Sequence, residues 1–134
     1  DAARDAGEAP RGRGETIMLV EDDEPVRRSI ARTLLSAGYK VIEAPTGDDA
    51  VKSCESLKNA VDLLLTDIVM PGISGVTLAT AAREQCPGLK VLFCSGYTDE
   101  MLGLDFLGVE KPELIRKPVD KGDLLWKVRE TLDK

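Results

Sequence analysis

The sequence predicts an α/β fold, a doubly wound five-stranded parallel sheet with helices on both faces. Three observations carry that expectation. From Glu15 onward, short aliphatic runs alternate with stretches whose apolar residues recur at helical spacing, the pattern of consecutive βα units. The runs are apolar nearly throughout and not at every second residue, as in strands covered on both faces. Four of them stop at polar residues, and in an open parallel sheet chemistry gathers at the carboxyl ends of strands.

Residues 1–14 hold Ala, Gly, Arg and Asp with no aliphatic period, the composition of a flexible linker, so the folded domain is expected over 15–134. A chain that starts at Asp1 and not at Met is expected to be a piece of a longer protein. Ile17-Met18-Leu19-Val20 is the first strand. Pro25 suits a first-turn helix position, where its missing N–H costs nothing. Val26, Ile30, Leu34 and Ala37 follow at helical spacing, and Gly38 is a natural stop. Residues 39–43 read as a short strand, Pro45-Thr46-Gly47 as a turn, and 48–57 as a helix with acids in its first turn. The run Val61-Asp62-Leu63-Leu64-Leu65-Thr66 ends at Asp67 as the central strand. After a Gly/Pro-rich loop come a helix over 76–85, a Pro87-Gly88 stop and a fourth strand over 90–94. Thr98-Asp99-Glu100 has the form of a capped helix start, and the stretch around Gly103, Gly108 and Pro112 is irregular. Leu114-Ile115-Arg116 is the fifth strand. A last helix over 121–132 carries Leu124, Leu125, Val128 and Leu132 on one face.

At 134 residues, the chain is one domain long enough to bury a core without disulfides. With 43% hydrophobic and 31% charged residues it is not a disordered sequence. A formal charge of −6 disfavours direct nucleic-acid binding, because that backbone is itself anionic. No apolar stretch approaches the roughly 20 residues that span a bilayer, and the amino terminus lacks the apolar segment of a signal peptide. Cys54, Cys86 and Cys94 show no metal or redox spacing, so reduced, buried thiols and a cytoplasmic location are expected. With 0 histidines, the chain has no His-based acid/base catalysis, His-ligated metal or phosphohistidine of its own.

The strand ends assemble a phosphoryl-transfer chemistry. Glu21, Asp22 and Asp23 in succession repel one another unless a cation offsets them. Hard oxygen ligands suit Mg²⁺, which takes one or two carboxylates plus a phosphate. Asp67 can supply a third carboxylate and keep an oxygen as nucleophile toward phosphorus, with the metal orienting the donor in a loose in-line transfer. Lys117 would pair with a phosphate oxygen, the Ser95 hydroxyl would donate another hydrogen bond, and Gly96 leaves room for the group. Pro118 has access to a cis bond that aims Lys117 inward. Plainer readings stand beside these. The acid run also fits a solvated helix amino terminus, more so for Asp23 than for Asp22. Lys117 alone would be a surface lysine and Ser95 alone an ordinary strand-end hydroxyl; register with the acids promotes both.

These residues, Glu21-Asp22-Asp23, Asp67-Ile68-Val69-Met70-Pro71-Gly72 with Gly75, Ser95-Gly96 and Lys117-Pro118, stand in order at the ends of strands one, three, four and five. In that arrangement, over roughly 15–134, the chain resembles the response-regulator receiver domains of two-component signalling, with their flavodoxin-like fold. In that family the acidic pair begins six residues before a helix-one arginine position, so Arg27 selects Glu21 and Asp22 and leaves Asp23 an accessory acid. The resemblance implies that Asp67 is the phosphoacceptor, modified to 4-aspartylphosphate. It implies that Asp22 and Asp67 ligate Mg²⁺ directly, that Glu21 acts through water, and that the Val69 backbone carbonyl completes the protein ligands. Ser95 and Lys117 would sense the phosphate. The implied partners are a sensor histidine kinase or its phosphotransfer domain, and a downstream protein or histidine phosphotransfer protein. The kinase would dock on the first helix near Val26 and Ile30, although both also fit the core. The surface of the fourth helix, fifth strand and fifth helix would change its partner affinity.

One departure matters: many receivers carry an aromatic residue three positions before the lysine, and here that position is Leu114. Tyr97 fits either a cover for the site or a plain surface residue. The segments Ser95-Gly96-Tyr97-Thr98-Asp99-Glu100 and Gly14-Glu15-Thr16-Ile17 are similar to receivers fused behind a histidine kinase core. The chain stops after its last helix, so no DNA-binding effector is expected, and the receiver of a hybrid histidine kinase leads a stand-alone regulator. Two other functions compete with the phosphorelay reading. An aspartyl-phosphate hydrolase would need a second aspartate two residues after Asp67, where Val69 stands; the same Val69 points to slow hydrolysis of the phosphate. A degenerate receiver acting as a phosphorylation-independent binding module would not need the complete acid, Ser and Lys set. A flavodoxin-like cofactor protein would need a Ser/Thr/Gly-rich phosphate loop after the first strand, and there is none.

Overall fold

A computed structural model describes residues 9–57, 60–96 and 113–134. Five strands, β1 (Thr16–Val20), β2 (Lys40–Ala44), β3 (Leu63–Asp67), β4 (Lys90–Ser95) and β5 (Leu114–Arg116), form one sheet in the order β2-β1-β3-β4-β5. Every neighbouring pair is parallel. Four helices lie among the described residues: α1 (Glu24–Ser36), α2 (Gly47–Leu57), α3 (Gly75–Gln85) and α4 (Lys121–Leu132). The expected helix start at Thr98-Asp99-Glu100, Tyr97 and the irregular stretch through Pro112 lie outside the described residues. No described helix is long and apolar enough to cross a membrane.

The chain moves outward from β1 to β2, then returns to place β3 on the other side of β1. That reversal makes the β1/β3 boundary the switch point of the sheet, where the loops leaving the two strands diverge and open a crevice. Side-chain alternation splits the core into two layers. Met18, Val20, Leu64 and Phe93 face one side and pack with Ala50 and Cys54 of α2 and Leu78 and Ala82 of α3. Ile17, Leu19, Leu63, Leu65 and Leu92 face the other and pack with Ile30 and Leu34 of α1 and Leu124 and Val128 of α4. All five residues of β3 are buried, as the aliphatic run predicts for a central strand, but the strand starts at Leu63 and not at Val61: Asp62 is exposed, its carboxylate accepting from the Thr16 N–H at 2.9 Å. Cys54, Cys86 and Cys94 are buried as thiols.

The element borders have local causes. Asp23 caps α1, its carboxylate accepting from the Val26 N–H at 3.1 Å. Thr46 does the same for α2 through the Asp49 N–H at 3.1 Å, so that helix starts a residue earlier than expected. The second strand runs one residue later than 39–43. Tyr39 spends its N–H on the Leu34 carbonyl, at the end of α1, while Lys40 pairs with the Glu15 carbonyl at 2.9 Å. Gly38 between them sits at φ 98°, the left-handed conformation that ends helices. Residues 11–14 lie against this corner: the N–H groups of Gly12 and Gly14 donate to the carbonyls of Ala37 and Gly38, and the Arg11 guanidinium to that of Ser36.

The start of α3 is set by a close backbone approach. The Gly75 N–H donates to the Ile68 carbonyl at 2.8 Å, and a Cβ at Gly75 would sit 2.0 Å from the Asp67 carbonyl oxygen. Only glycine fits there. Gly75→Ala therefore forces β3 and α3 apart at Asp67. The expected loss in urea unfolding is about 1–3 kcal/mol or more, the range for overpacking; a loss below about 0.5 kcal/mol would contradict the tight contact.

At the opposite edge, the Arg129 guanidinium on α4 holds Glu15 before β1 at 2.7 Å and Asp133 at 2.8 Å. Burial pushes the Glu15 carboxyl up, but the Arg129 contact and the Arg13 N–H outweigh it and hold the group below its ordinary 4.5. A carboxyl lowered by folding stabilises the fold above its unfolded pKa, and that contribution is lost as pH falls through the folded one. Urea unfolding of the native protein is expected to lose stability as pH drops below about 4.5, with Glu15→Gln showing a shallower decline. Parallel pH profiles would refute the assignment.

Candidate functional site

The carboxyl edge of the sheet gathers Glu21 after β1, Asp67 at the end of β3, Ser95 at the end of β4 and Lys117 after β5. Backbone bonds continue past the strands and fix these positions. The Glu21 N–H donates to the Ala44 carbonyl of β2, the Ile68 N–H to Cys94, and the Lys117 N–H to the Ser95 carbonyl at 2.9 Å. Three of the polar residues are sealed in: Glu21 is 3% exposed, Asp67 5% and Ser95 2%.

Lys117 binds two of them together. Its Nζ lies 2.8 Å from Asp67 Oδ1 and 3.3 Å from both carboxylate oxygens of Glu21. Asp22 is exposed, yet one oxygen from each of Glu21, Asp22 and Asp67 lies within 4.8 Å of the others. Carboxylates at that spacing repel one another, and one ammonium offsets only part of the charge. The set is made of hard oxygen donors with one member open to solvent, the donor chemistry that fits a Mg²⁺ ion keeping several of its waters.

An open cavity of about 850 Å³ leads to this edge, with Asp22, Asp67 and Lys117 on its polar side and Val26, Ile30 and Pro118 on its apolar side. Val69 also lines it and is 64% exposed, on the loop after β3. Gly96 borders the same space, and the Lys117–Pro118 bond is cis. Cys94 reaches the cavity as well, but burial and then the neighbouring Asp67 charge push its thiol up to about 12. A thiol so raised is a poor nucleophile.

The structure thus brings Glu21, Asp22, Asp67, Ser95 and Lys117 to one edge, with Val69 at its rim. Asp23 goes elsewhere, to the cap of α1. Ile30 is core at 5% exposed, and Val26 is half-buried and packs against the same cluster. Leu114 is half-buried and packs on the layer that contains Phe93. Two residues whose sequence signal said little are built into the site. Thr66 is fully buried and its hydroxyl donates to the Asp67 carbonyl at 3.0 Å. Arg27 served only to set the register of the acids, yet its Nη1 donates to the Glu21 carbonyl at 2.9 Å. Neither residue type at either position announces a site by itself.

Comparison with known proteins agrees with this geometry. The family model described as the response regulator receiver domain matches residues 17–129. Sensor kinase CckA of Brucella abortus (strain 2308) is 36% identical over 119 residues, which are 89% of this chain but only 13% of that protein. The response regulator receiver protein CpdR of the same organism is 34% identical over 116 residues, covering 87% of this chain and 95% of that one. Among solved structures, the receiver domain from Hybrid Histidine Kinase CckA superposes with a TM-score of 0.75 at 35% identity, over 87% of this chain and 98% of its own. A response regulator receiver protein from Sinorhizobium medicae WSM419 gives a TM-score of 0.80 at 27% identity, over 90% and 96%. With the five-stranded order, the acids at the switch point and the lysine after β5 already in place, the chain belongs to the response regulator receiver domain family.

Proposed function

We propose that this receiver is the phosphoacceptor of a two-component phosphorelay, taking a phosphoryl group onto Asp67 from the phosphohistidine of a sensor histidine kinase or its phosphotransfer domain. The observation that carries the reading is the bridge of Lys117 Nζ between Asp67 and Glu21, at 2.8 and 3.3 Å, beside the exposed Asp22. A buried carboxylate held by a lysine at a solvent-open edge is a positioned nucleophile. The Asp67 oxygen forms the new P–O bond as the donor P–N bond breaks, and the departing imidazole keeps the electron pair and takes a proton from solvent. Lys117 then follows the negative charge from the Asp67 carboxylate to a phosphate oxygen, and the Ser95 hydroxyl donates to another. Glu21, Asp22, Asp67 and the Val69 carbonyl would hold Mg²⁺, Glu21 through water; the ion supplies charge neutralisation and orientation of the donor phosphate.

The domain so read is a switch that promotes its own phosphorylation, not an enzyme turning over a separate substrate. The two competing functions fare worse. Val69 offers no general acid to a hydrolase, and a binding module without phosphorylation leaves the buried Asp67–Lys117–Glu21 arrangement without a use. The likeness to CckA supports the receiver of a hybrid histidine kinase; on this reading the domain works in the cytoplasm, with the kinase or a histidine phosphotransfer protein as partner. The likeness to CpdR, along 95% of its length, supports a stand-alone regulator as the second arrangement.

Intact-protein mass after incubation with acetyl phosphate and Mg²⁺ tests the reading. The native protein should gain one phosphoryl group, and EDTA or Asp67→Ala should abolish the gain. Lys117→Ala should slow it roughly a hundredfold, the usual effect of removing one charge-stabilising group. An adduct that persists in Asp67→Ala would sink the assignment, as would none on the native protein with either acetyl phosphate or a phosphorylated kinase.

A further inference from the structure

Arg27 lies on the first turn of α1, and its side chain is only 11% exposed. It turns back on the chain that precedes it. Nη1 donates to the Glu21 carbonyl at 2.9 Å, and Nε to Oε1 of Glu43 on β2 at 3.1 Å. Its own N–H donates to the Asp23 carbonyl at 2.9 Å. The last is the ordinary helical bond that any residue here would make; the guanidinium itself grips the acidic turn at the Glu21 carbonyl, just before Asp22. Glu21 is held at its N–H by Ala44, at its carbonyl by Arg27 and at its carboxylate by Lys117. Asp23 is held through its cap on Val26. Asp22 has an exposed side chain, but its two neighbours leave its backbone little freedom.

We propose that Arg27, anchored by Glu43, is a positioning residue that presets the Glu21-Asp22 turn for binding a divalent cation. The inference rests on the metal site of the proposed function. Three carboxylates within 4.8 Å repel one another, and without a brace the exposed loop relaxes by moving Asp22 away. The guanidinium suits the task because Nε and Nη1 point along fixed directions to two acceptors at once, whereas a lysine offers a single nitrogen on a flexible stem without that fixed fork. Its action is on the backbone, so it touches neither the ion nor the phosphoryl group.

Mg²⁺ binding measured by calorimetry on the unphosphorylated protein tests this, with metal-free thermal unfolding run alongside. Arg27→Ala is expected to weaken Mg²⁺ binding about tenfold or more, the size of a lost outer-shell support. Arg27→Lys and Glu43→Gln should give smaller losses in the same direction. Arg28→Ala, an exposed neighbour paired with Glu24, should leave the affinity unchanged. In acetyl phosphate reactions the Mg²⁺ concentration for half-maximal rate should rise in Arg27→Ala, while the rate at saturating Mg²⁺ stays near native. A purely structural role predicts instead a lower melting temperature with native Mg²⁺ affinity, and that result would overturn the proposal. Should Arg27→Ala fail to fold, unchanged affinity in both Arg27→Lys and Glu43→Gln overturns it equally. Asp22→Asn separates the two levels. Binding lost in Asp22→Asn but native in the Arg27 variants refutes the brace alone; binding native in Asp22→Asn refutes the metal site itself.

Discussion

Two buried carboxylates that must share one ammonium set the terms for the rest of this molecule. Glu21 and Asp67 are almost closed to solvent, and a buried carboxylate is tolerated only when charge and hydrogen bonds compensate its lost hydration. Lys117 supplies that compensation from the far side of the sheet, across β3 and β4. The arrangement works only if β5 pairs in register with β4, because the Lys117 N–H is bonded to the Ser95 carbonyl. It also needs the switch point between β1 and β3, which aims both acids into one crevice. Sheet order and site are one constraint seen at two scales.

The sequence made the centre of this arrangement readable and its supports hard to see. Strand β3 was legible because complete burial leaves a signature that no surface strand shares, an aliphatic run without alternation ending in a charge. Lys117 was legible through its position at a strand end and not through its identity. Helix and strand borders were less so, and for local reasons. Tyr39 has every property of a strand residue, but its N–H is taken by the end of α1 and its ring by the backbone around Gly12. Thr46 reads as a turn residue until its hydroxyl is seen to cap α2.

Asp23 and Arg27 show where residue type stops being informative. An aspartate beside two other acids serves a metal or a helix cap according to its backbone angles, and at φ −79° and ψ 109° Asp23 is built as a cap. Its oxygen then points at the Val26 N–H, away from the acids it follows in sequence. Arg27 on an amphipathic helix would ordinarily be a solvated charge. Only the fold places Glu43 of β2 and the Glu21 carbonyl within its reach, and those partners lie 16 and 6 residues away in the chain. The Glu43 contact is long-range, and the spacing from Glu21 to Arg27 sets the register of the acids without announcing the bond between them.

The same backbone link bears on how a phosphoryl group at Asp67 would be felt at a distance. Leu114 offers no ring to exchange between buried and exposed positions, and it already packs on the layer holding Phe93, its partner across the β4–β5 ladder. What joins the two proposed phosphate sensors is the Lys117 N–H to Ser95 carbonyl bond, so a shift of either residue strains the other. A hydrogen bond to a charged group contributes about 1.5–3 kcal/mol. Two new ones, less the Lys117–Asp67 contact given up, leave a bias of a few kcal/mol. That is the scale on which a two-state equilibrium is moved. On the proposed function, a bias of that size needs no aromatic gate, and the bonded ends of β4 and β5 are the described elements that link Ser95 to Lys117.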